Sequence, residues 1–274
     1  MDALQTKLEH LRELLAPLPS VMVAFSGGVD SSFLLKVAQD TCGGRVLALT
    51  TTSPTMPEED FRSATEIAQL IGARHLVVTS NELEIPGYAQ NPLNRCYLCK
   101  RNLFTVCEAK AKELDIEQIV DGLNLDDLRD YRPGMQAAAE RRVRHPLVEA
   151  RLNKSEIRAL SRQMGLPTWD RPASPCLSSR FPYGTEITPE RLRQVARGEQ
   201  ILRALGFTVV RVRYHGEVAR IEVTRDQMAR LLDPRVSEQI TREFRQLGFR
   251  FVTMDLSGFR SGSLNEGLAL PQTN

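Results

Sequence analysis

The stretch AFSGGVDSSF, residues 24–33, decides the fold. It overlaps the apolar, β-branched run SVMVAF (residues 20–25), which predicts a buried strand, and it leads into FLLKVAQD (residues 33–40), which predicts a helix. Two adjacent glycines between a strand and a helix let backbone amides approach a phosphate closely, and the amino end of the helix favours an anion. The stretch therefore predicts a phosphate-binding loop.

The side chains of this loop fit the same chemistry. Its serines supply hydroxyl donors, and Asp30 can hold Mg²⁺ against phosphates. We expect the whole segment to take part in binding: Ser26, Gly27, Gly28, Val29, Asp30, Ser31 and Ser32. It is not a Walker loop, because no Gly-Lys-Ser/Thr follows it. The alternative interpretation is an ordinary glycine turn before a helix.

Strands and helices alternate through the first part of the chain. After the loop, the pattern predicts strands at 45–50, 74–80 and 117–123 and helices at 58–71, 96–114 and 154–164, the last one capped by Asn153. Such alternation predicts an α/β fold with a parallel sheet covered by helices on both faces.

The pattern changes after about residue 165. A proline-rich segment without periodicity, residues 167–189, precedes a smaller α+β unit. We expect helices at 189–205 and 226–246 and strands at 208–215, 218–224 and 249–256, with a turn at Gly216. The predicted domains are therefore 1–180 and 181–274.

Composition narrows the class of protein. The chain has 274 residues, enough for a large core, and its formal net charge of +2 argues against a large nucleic-acid footprint. No apolar run reaches the length of about 20 residues that a membrane span needs. The first 18 residues carry charges within an amphipathic helical pattern, which is not typical of a signal peptide. We expect a cytoplasmic protein.

The five cysteines raise a separate question. Their odd number argues against a disulfide scaffold in such a protein. Cys96 and Cys99, in NRCYLCKRNLF (residues 94–104), share one face at a predicted helix start, where the helix dipole favours thiolates. Local sequence leaves a redox pair, half a zinc site, part of a metal cluster and chance all open. Cys42 and Cys107 are expected in the core.

Several motifs together resemble known families. The loop SGGVDSS resembles the PP-loop of ATP pyrophosphatases, which include GMP synthetases, NAD synthetases and tRNA sulfur transferases. Four further stretches, with that loop, resemble the LarE family of ATP-dependent sacrificial sulfur transferases: DGLNLDDLRDYRPG (121–134), SPCLSSRFPYGTEIT (174–188), LGFTVVRVRYH (205–215) and GFRFVTMDLSGFRSG (248–262). The resemblance runs almost end to end.

For the nucleotide, the PP-loop resemblance implies binding of ATP with Mg²⁺ and release of pyrophosphate. Residues 26–32 would hold the pyrophosphate end of ATP. Thr51, in ALTTTSP after a strand, would lie near the adenosine, and Asp121, Asn124 and Asp127 could face the nucleotide. Each of these acids could equally cap its own loop.

The LarE resemblance also implies a substrate. Such enzymes adenylate carboxylates of pyridinium-3,5-biscarboxylic acid mononucleotide and convert them to thiocarboxylates, in the biosynthesis of the nickel-pincer nucleotide of lactate racemase. In this family the positions of Ser179, Arg180, Arg211 and Arg213 form a phosphate site. Arg211 and Arg213 would share one strand face, although an exposed basic strand face is the alternative.

The resemblance implies a further metal site and a sulfur donor. Glu199 and Glu222 match acidic positions associated with metal binding, whereas the third such position is Arg230 here. In some members the cysteine matching Cys176 gives up its own sulfur. A branch with two more cysteines, matched by Cys96 and Cys99, holds a 4Fe–4S cluster on all three and transfers a sulfide from it.

We therefore predict an ATP- and Mg²⁺-dependent sulfurtransferase with a 4Fe–4S cluster, acting on a small nucleotide. Its sulfide source is not specified by the sequence, and we expect a homo-oligomer with neither a nucleic acid nor a membrane as partner. The alternatives are a tRNA thiolation enzyme of the PP-loop class, a sacrificial donor at Cys176 without a cluster, and a nucleotide sensor that has lost catalysis.

Overall fold

The computed structural model describes residues 3–129, 134–260 and 262–266. Its described residues divide into two compact units, the first formed by residues up to Ile85 and by Asn94–Ser174, the second by Pro86–Leu93 and by residues 175–266. The units are thus divided after Ser174, and a short segment of the first half belongs to the second unit. Residues 130–133 of the predicted substrate loop lie outside the described residues.

The first unit contains a parallel sheet flanked by helices. Its elements are α1 (Ala3–Leu15), β1 (Val21–Ala24), α2 (Val29–Cys42), β2 (Val46–Thr52), α3 (Glu58–Ile71), β3 (Arg74–Thr79), α4 (Arg95–Glu113), β4 (Gln118–Asp121), α5 (Gly134–Glu140), α6 (Pro146–Glu149) and α7 (Lys154–Gln163). The strand order is β3-β2-β1-β4, and all neighbours are parallel. In register, Val21 of β1 pairs with Val46 of β2 and with Gln118 of β4.

Alternate side chains of the central strand enter two separate cores. Val21 and Val23 pack in a cluster with apolar residues of α1, α2, α3 and α7. Met22 and Ala24 pack on the opposite face with residues of α4 and α5. A strand buried on both faces has no polar alternation, which explains why β1 is apolar throughout. The predicted α/β class, with helices on both faces, is confirmed.

The loop between β1 and α2 is held by close packing. Helix α2 begins at Val29, four residues before the predicted apolar segment, so the VDSS residues form its first turn. Gly27 has a φ of +70°, and a Cβ there would lie 2.7 Å from the Cα of Ala64 in α3. Gly122, directly after β4, lies so close to α2 that a Cβ would be 2.8 Å from the amide nitrogen of Ser31. Only glycine fits at either position.

The second unit is a small α+β structure. It contains α8 (Pro189–Ala204), β5 (Val210–His215), β6 (Val218–Val223), α9 (Met228–Leu231), α10 (Pro234–Gln246) and β7 (Phe251–Met254). The sheet order is β5-β6-β7, with β5 antiparallel and β7 parallel to β6. The turn between β5 and β6 has Gly216 at a φ of +66°. A 3-10 turn, Leu177–Arg180, precedes these elements.

The helices in the part of the chain that the structure describes were compared with the requirements of a membrane span. None of its helices combines the length and the apolar composition needed to cross a membrane.

The packing around Gly27 leads to a stability prediction. We expect Gly27→Ala to lower the free energy of unfolding by about 2–5 kcal/mol, because it adds left-handed strain to an overpacked contact with backbone atoms. Gly44→Ala is the matched control, since its φ is not positive and a Cβ would meet nothing within 4 Å. Urea unfolding of both variants measures the difference. Equal stability of Gly27→Ala and Gly44→Ala would contradict the packing argument.

Candidate active site

The phosphate loop folds back on itself through short polar side chains. The Oγ of Ser26 accepts a hydrogen bond from the Gly28 amide at 3.4 Å and lies 3.1 Å from the Oγ of Ser31. Ser31 Oγ also donates to the Gly28 carbonyl at 3.3 Å. The first amides of α2 have no acceptor within their helix, as at any helix start. The loop therefore combines ordered hydroxyls with the electropositive end of a helix, which suits a phosphate.

Asp30 lies in the first turn of α2 with only one of its carboxylate oxygens engaged. Oδ2 accepts from the ammonium group of Lys154. Within the described residues, Oδ1 of Asp30 and the Oγ of Ser32 are buried and have no hydrogen-bond partner. A buried, unpartnered carboxylate oxygen beside a phosphate loop is a suitable ligand for Mg²⁺, which prefers oxygen donors from one or two carboxylates and from phosphates.

A second cation, Arg171, contacts the loop directly. Its guanidinium group donates to the Gly27 carbonyl at 3.2 Å, to the Oγ of Ser63 at 2.6 Å and to Oδ1 of Asp60 at 2.6 Å. Asp60 also accepts from the Oγ of Ser174 at 2.7 Å. These contacts attach the segment around residue 171 to the phosphate loop and to α3. The sequence analysis did not single out Asp60, Arg171 or Lys154.

The acidic residues after β4 bind within their own loop. Asp121 is buried, lies 2.7 Å from Nδ1 of His145 and accepts from the Leu123 amide at 3.1 Å. Burial alone would raise the pKa of Asp121, but the hydrogen bond and charge of His145 help to hold it below its ordinary value. The Asn124 amide donates to Oδ2 of Asp127 at 3.1 Å. The structure thus gives all three residues capping contacts, and their predicted role toward ATP stays a prediction.

Two neighbouring threonines near the end of β2 have different environments. Thr50 is buried, donates to the Phe25 carbonyl at 2.8 Å and lies 2.8 Å from Nε2 of His75. Thr51, the predicted adenosine neighbour, is half-buried at the carboxyl end of the same strand. This edge is where α/β sheets bind their ligands.

The five cysteines fall into two groups by exposure. Cys96 is exposed and Cys99 half-buried in the first turn of α4, and Cys176 is half-buried just before the 3-10 turn of the second unit. Cys42 and Cys107 are buried, as predicted, and burial raises the pKa of Cys107 to about 12. Across residues 3–129, 134–260 and 262–266, no three His, Cys, Asp or Glu side chains are grouped to hold a metal ion. The cluster therefore stays a prediction.

The second unit brings the four predicted phosphate-binding residues together. Arg180 Nη1 donates to the Oγ of Ser179 at 2.9 Å, and Arg213 Nη1 donates to the Ser179 carbonyl at 2.6 Å. Two buried carboxylates fix the arginines: Glu199 binds Arg180 at 2.7 and 3.0 Å, and Glu222 binds Arg213 at 2.9 and 3.0 Å. Both contacts are bidentate, which fixes the plane of each guanidinium. The metal role predicted for these two acids stays a prediction.

Arg211 differs from its neighbours because it has no carboxylate partner among the described residues. Its guanidinium lies 4.4 Å from the ring centroid of Phe259 and donates to the Arg260 carbonyl at 3.3 Å. Burial, then the positive charges of Arg213 and Arg180, lower the pKa of Arg211 to about 10. It stays protonated at neutral pH, so an uncompensated, 5% exposed cation is held here beside two others. Such an arrangement favours an anion.

Arg230, which the resemblance matches to the third acidic position, has a structural contact of its own. Its guanidinium donates to the Leu205 and Gly206 carbonyls at the end of α8 and lies 5.0 Å from the ring centroid of Phe207. A cation there satisfies orphan carbonyls and complements the helix dipole. This contact explains the basic residue at position 230 without reference to a metal.

Comparison with known proteins finds relatives that match nearly the whole chain. No protein-family model matches it. The chain is 46% identical over 265 residues to an uncharacterized protein of Synechocystis sp., covering 97% of this chain and 99% of that protein. It is 39% identical over 273 residues to the pyridinium-3,5-bisthiocarboxylic acid mononucleotide synthase of Lactiplantibacillus plantarum, covering 99% of this chain and 98% of the other.

A more distant relative matches a part of the chain. The glutamine-hydrolyzing GMP synthase of Aeropyrum pernix is 27% identical over 203 residues, 66% of this chain and 39% of that protein. The parallel sheet with its SGGVDSS loop is the PP-loop fold, in agreement with this likeness. The 39% identity along nearly the whole of both chains, together with this fold, shows that the protein belongs to the LarE family of PP-loop sulfur transferases.

Proposed function

We propose that the protein is an ATP- and Mg²⁺-dependent sulfurtransferase that adenylates the carboxylates of pyridinium-3,5-biscarboxylic acid mononucleotide and converts them to thiocarboxylates. The product would serve the biosynthesis of the nickel-pincer nucleotide of lactate racemase. We place the enzyme in the cytoplasm, where ATP is available, and expect it to act as a homo-oligomer without nucleic acid or membrane partners.

The observation that carries the proposal is the PP-loop with Asp30. The loop offers amides and hydroxyls to a phosphate chain, and the unpartnered Oδ1 of Asp30 can hold Mg²⁺ beside it. The name of the Lactiplantibacillus relative supports the choice of substrate, because it describes the bisthiocarboxylic product. Bound Mg²⁺ would neutralise phosphate charge.

Adenylation would make the carboxylate of the substrate reactive toward a sulfur nucleophile. A free carboxylate is a poor electrophile, so its oxygen attacks the α-phosphorus of ATP and the bond to the β-phosphate breaks. Residues 26–32 and the start of α2 then hold the departing pyrophosphate. A sulfur nucleophile attacks the carbonyl carbon of the acyl-adenylate, and AMP leaves with the carboxylate oxygen.

The arginine cluster suits the 5′-phosphate of the substrate. Arg211 supplies the uncompensated charge, and Ser179 supplies a hydroxyl beside it. Glu199 and Glu222 fix Arg180 and Arg213 by bidentate ion pairs, so these guanidiniums are oriented before any ligand binds. The excess positive charge would then attract a phosphate group.

The source of the sulfur has two forms in this proposal. In one, the thiolate of Cys176 attacks the acyl-adenylate; loss of its α-proton and cleavage of its Cβ–S bond then leave dehydroalanine and the thiocarboxylate. In the other, Cys96, Cys99 and Cys176 would hold a 4Fe–4S cluster, which would serve as the source of sulfide. We favour the cluster because Cys176 alone leaves the two other cysteines unexplained.

Pyrophosphate exchange tests the reaction and the substrate class. We expect the wild type to exchange labelled pyrophosphate into ATP only when the biscarboxylate mononucleotide is present. Total yeast or bacterial tRNA serves as the competing substrate. Exchange stimulated only by tRNA would contradict the proposal, and ATP binding without any exchange would support a nucleotide sensor instead.

Anaerobic purification tests the sulfur source. We expect the reconstituted wild type to contain iron and sulfide and to absorb in the visible region. We expect Cys96→Ala to lose the iron and sulfide together with the visible absorption. Cys42→Ala is the matched control, because Cys42 is buried in the core and outside the proposed ligand set. A wild type that takes up no iron, with dehydroalanine at position 176 in the mass spectrum after turnover, would refute the cluster and support the sacrificial route.

A further inference from the structure

Lys154 lies beside the phosphate loop, although no sequence motif indicated a role for it there. Its ammonium group contacts Oδ2 of Asp30, the carboxylate in the first turn of α2. The Lys154 side chain is 36% exposed and that of Asp30 is 21% exposed, so the ion pair lies at the edge of the protein interior. Oδ1 of the same carboxylate is the unpartnered atom that suits Mg²⁺. A cation and a metal-binding oxygen therefore lie on the two sides of one carboxylate.

The backbone of Lys154 is held firmly in place. Lys154 is the first residue of α7, and Asn153 and Glu156 form a capping box around it, with hydrogen bonds of 2.9 and 3.0 Å. The Lys154 amide also donates to Oδ2 of Asp126 at 2.9 Å. Lys7 contacts Glu156 at 2.7 Å from the other side. These contacts fix where the lysine side chain starts, without using its ammonium group.

The positive charge of Lys154 does not stabilise the two helices that it contacts. It lies in the first turn of α7 and reaches the first turn of α2, and both are positive ends of helix dipoles. Acidic residues are favoured at such places and basic ones are unfavourable. Asp30 is the charged partner of Lys154 in the structure. Besides the carboxylates of Asp30 and Asp126, the amino ends of both helices thus favour negative charge near the ammonium group.

We propose that Lys154 is a phosphate-binding residue of the adenylation site, a proposal that rests on the proposed ATP-dependent function. The PP-loop lacks the lysine that follows the glycines of a Walker loop, and Lys154 supplies an equivalent charge from α7. It contacts the β- and γ-phosphates of ATP. When the bond between the α-phosphorus and the bridging oxygen breaks, the electron pair goes to pyrophosphate, and Lys154 stabilises the added negative charge. No proton transfer is needed.

Equilibrium binding of ATP and AMP tests this role without turnover. We compare the wild type with Lys154→Met, which keeps most of the length of the side chain and removes its charge, by calorimetry in the presence of Mg²⁺. Loss of a charged contact to phosphate weakens binding by about tenfold or more. We therefore expect Lys154→Met to bind ATP about tenfold or more weakly than the wild type does. AMP has no β- or γ-phosphate, and its affinity should not change. Lys154→Arg should restore most of the ATP affinity.

Lys7→Met is the matched control, because Lys7 contacts the same helix α7 through Glu156. It should change neither affinity, and the urea midpoint of each variant shows that the fold is intact. Unchanged ATP binding in Lys154→Met, equal weakening for ATP and AMP, or tighter ATP binding would each overturn the proposal while the proposed function stands. A wild type that binds no ATP would overturn both.

Discussion

The close packing around the start of α2 is the constraint from which the proposed chemistry follows. Gly27 lies against Ala64 of α3, and Gly122 lies against the amide of Ser31, at distances that exclude any Cβ. The end of β1 and the loop after β4 are thereby brought against the same helix turn. Because the first amides of α2 lack intrahelical acceptors, this packing orders backbone donors in a way that suits an anion.

Charged side chains at the candidate sites of each unit are organised in pairs, and these pairs contribute more to side-chain orientation than to stability. Asp60 holds Arg171 against the Gly27 carbonyl in the first unit. In the second unit, Glu199 and Glu222 hold two nearly fully buried arginines. Buried ion pairs often add little net stability, because desolvation offsets their attraction. They do fix the orientation of guanidinium groups, which a phosphate site requires. The unbalanced charge is then concentrated on Arg211.

The sequence predicted the elements whose signals are local. Apolar runs placed β1, β2 and β4 within a few residues, and Asn153 was correctly predicted as the N-cap of α7. The start of α2 was predicted too late, because Asp and Ser compete with helix formation and favour caps, so Val29–Ser32 was assigned to the loop. The short helices α5 and α6 were missed, since four to seven residues carry little periodicity.

The sequence motifs named most residues of the candidate sites, but not the pairings of their charged side chains. Arg213 and Glu222 are neighbours because β5 and β6 are antiparallel, and Arg180 meets Glu199 across 19 residues of chain. Arg171 and Lys154 reach the phosphate loop from segments more than a hundred residues away. No local pattern encodes such contacts. The one available signal was a lysine immediately after an N-cap, where an acid would be the favoured choice.

Transfer of an oxygen isotope from substrate to AMP tests the adenylation claim most directly. The biscarboxylate mononucleotide is labelled with ¹⁸O in its carboxylates and incubated with ATP and the enzyme until thiocarboxylate forms. Attack of the carboxylate on the α-phosphorus predicts one ¹⁸O atom in AMP for each thiocarboxylate, detected by mass spectrometry or by the ³¹P resonance of AMP. Label in inorganic phosphate with formation of ADP would show attack on the γ-phosphate and would contradict the proposed role of the PP-loop.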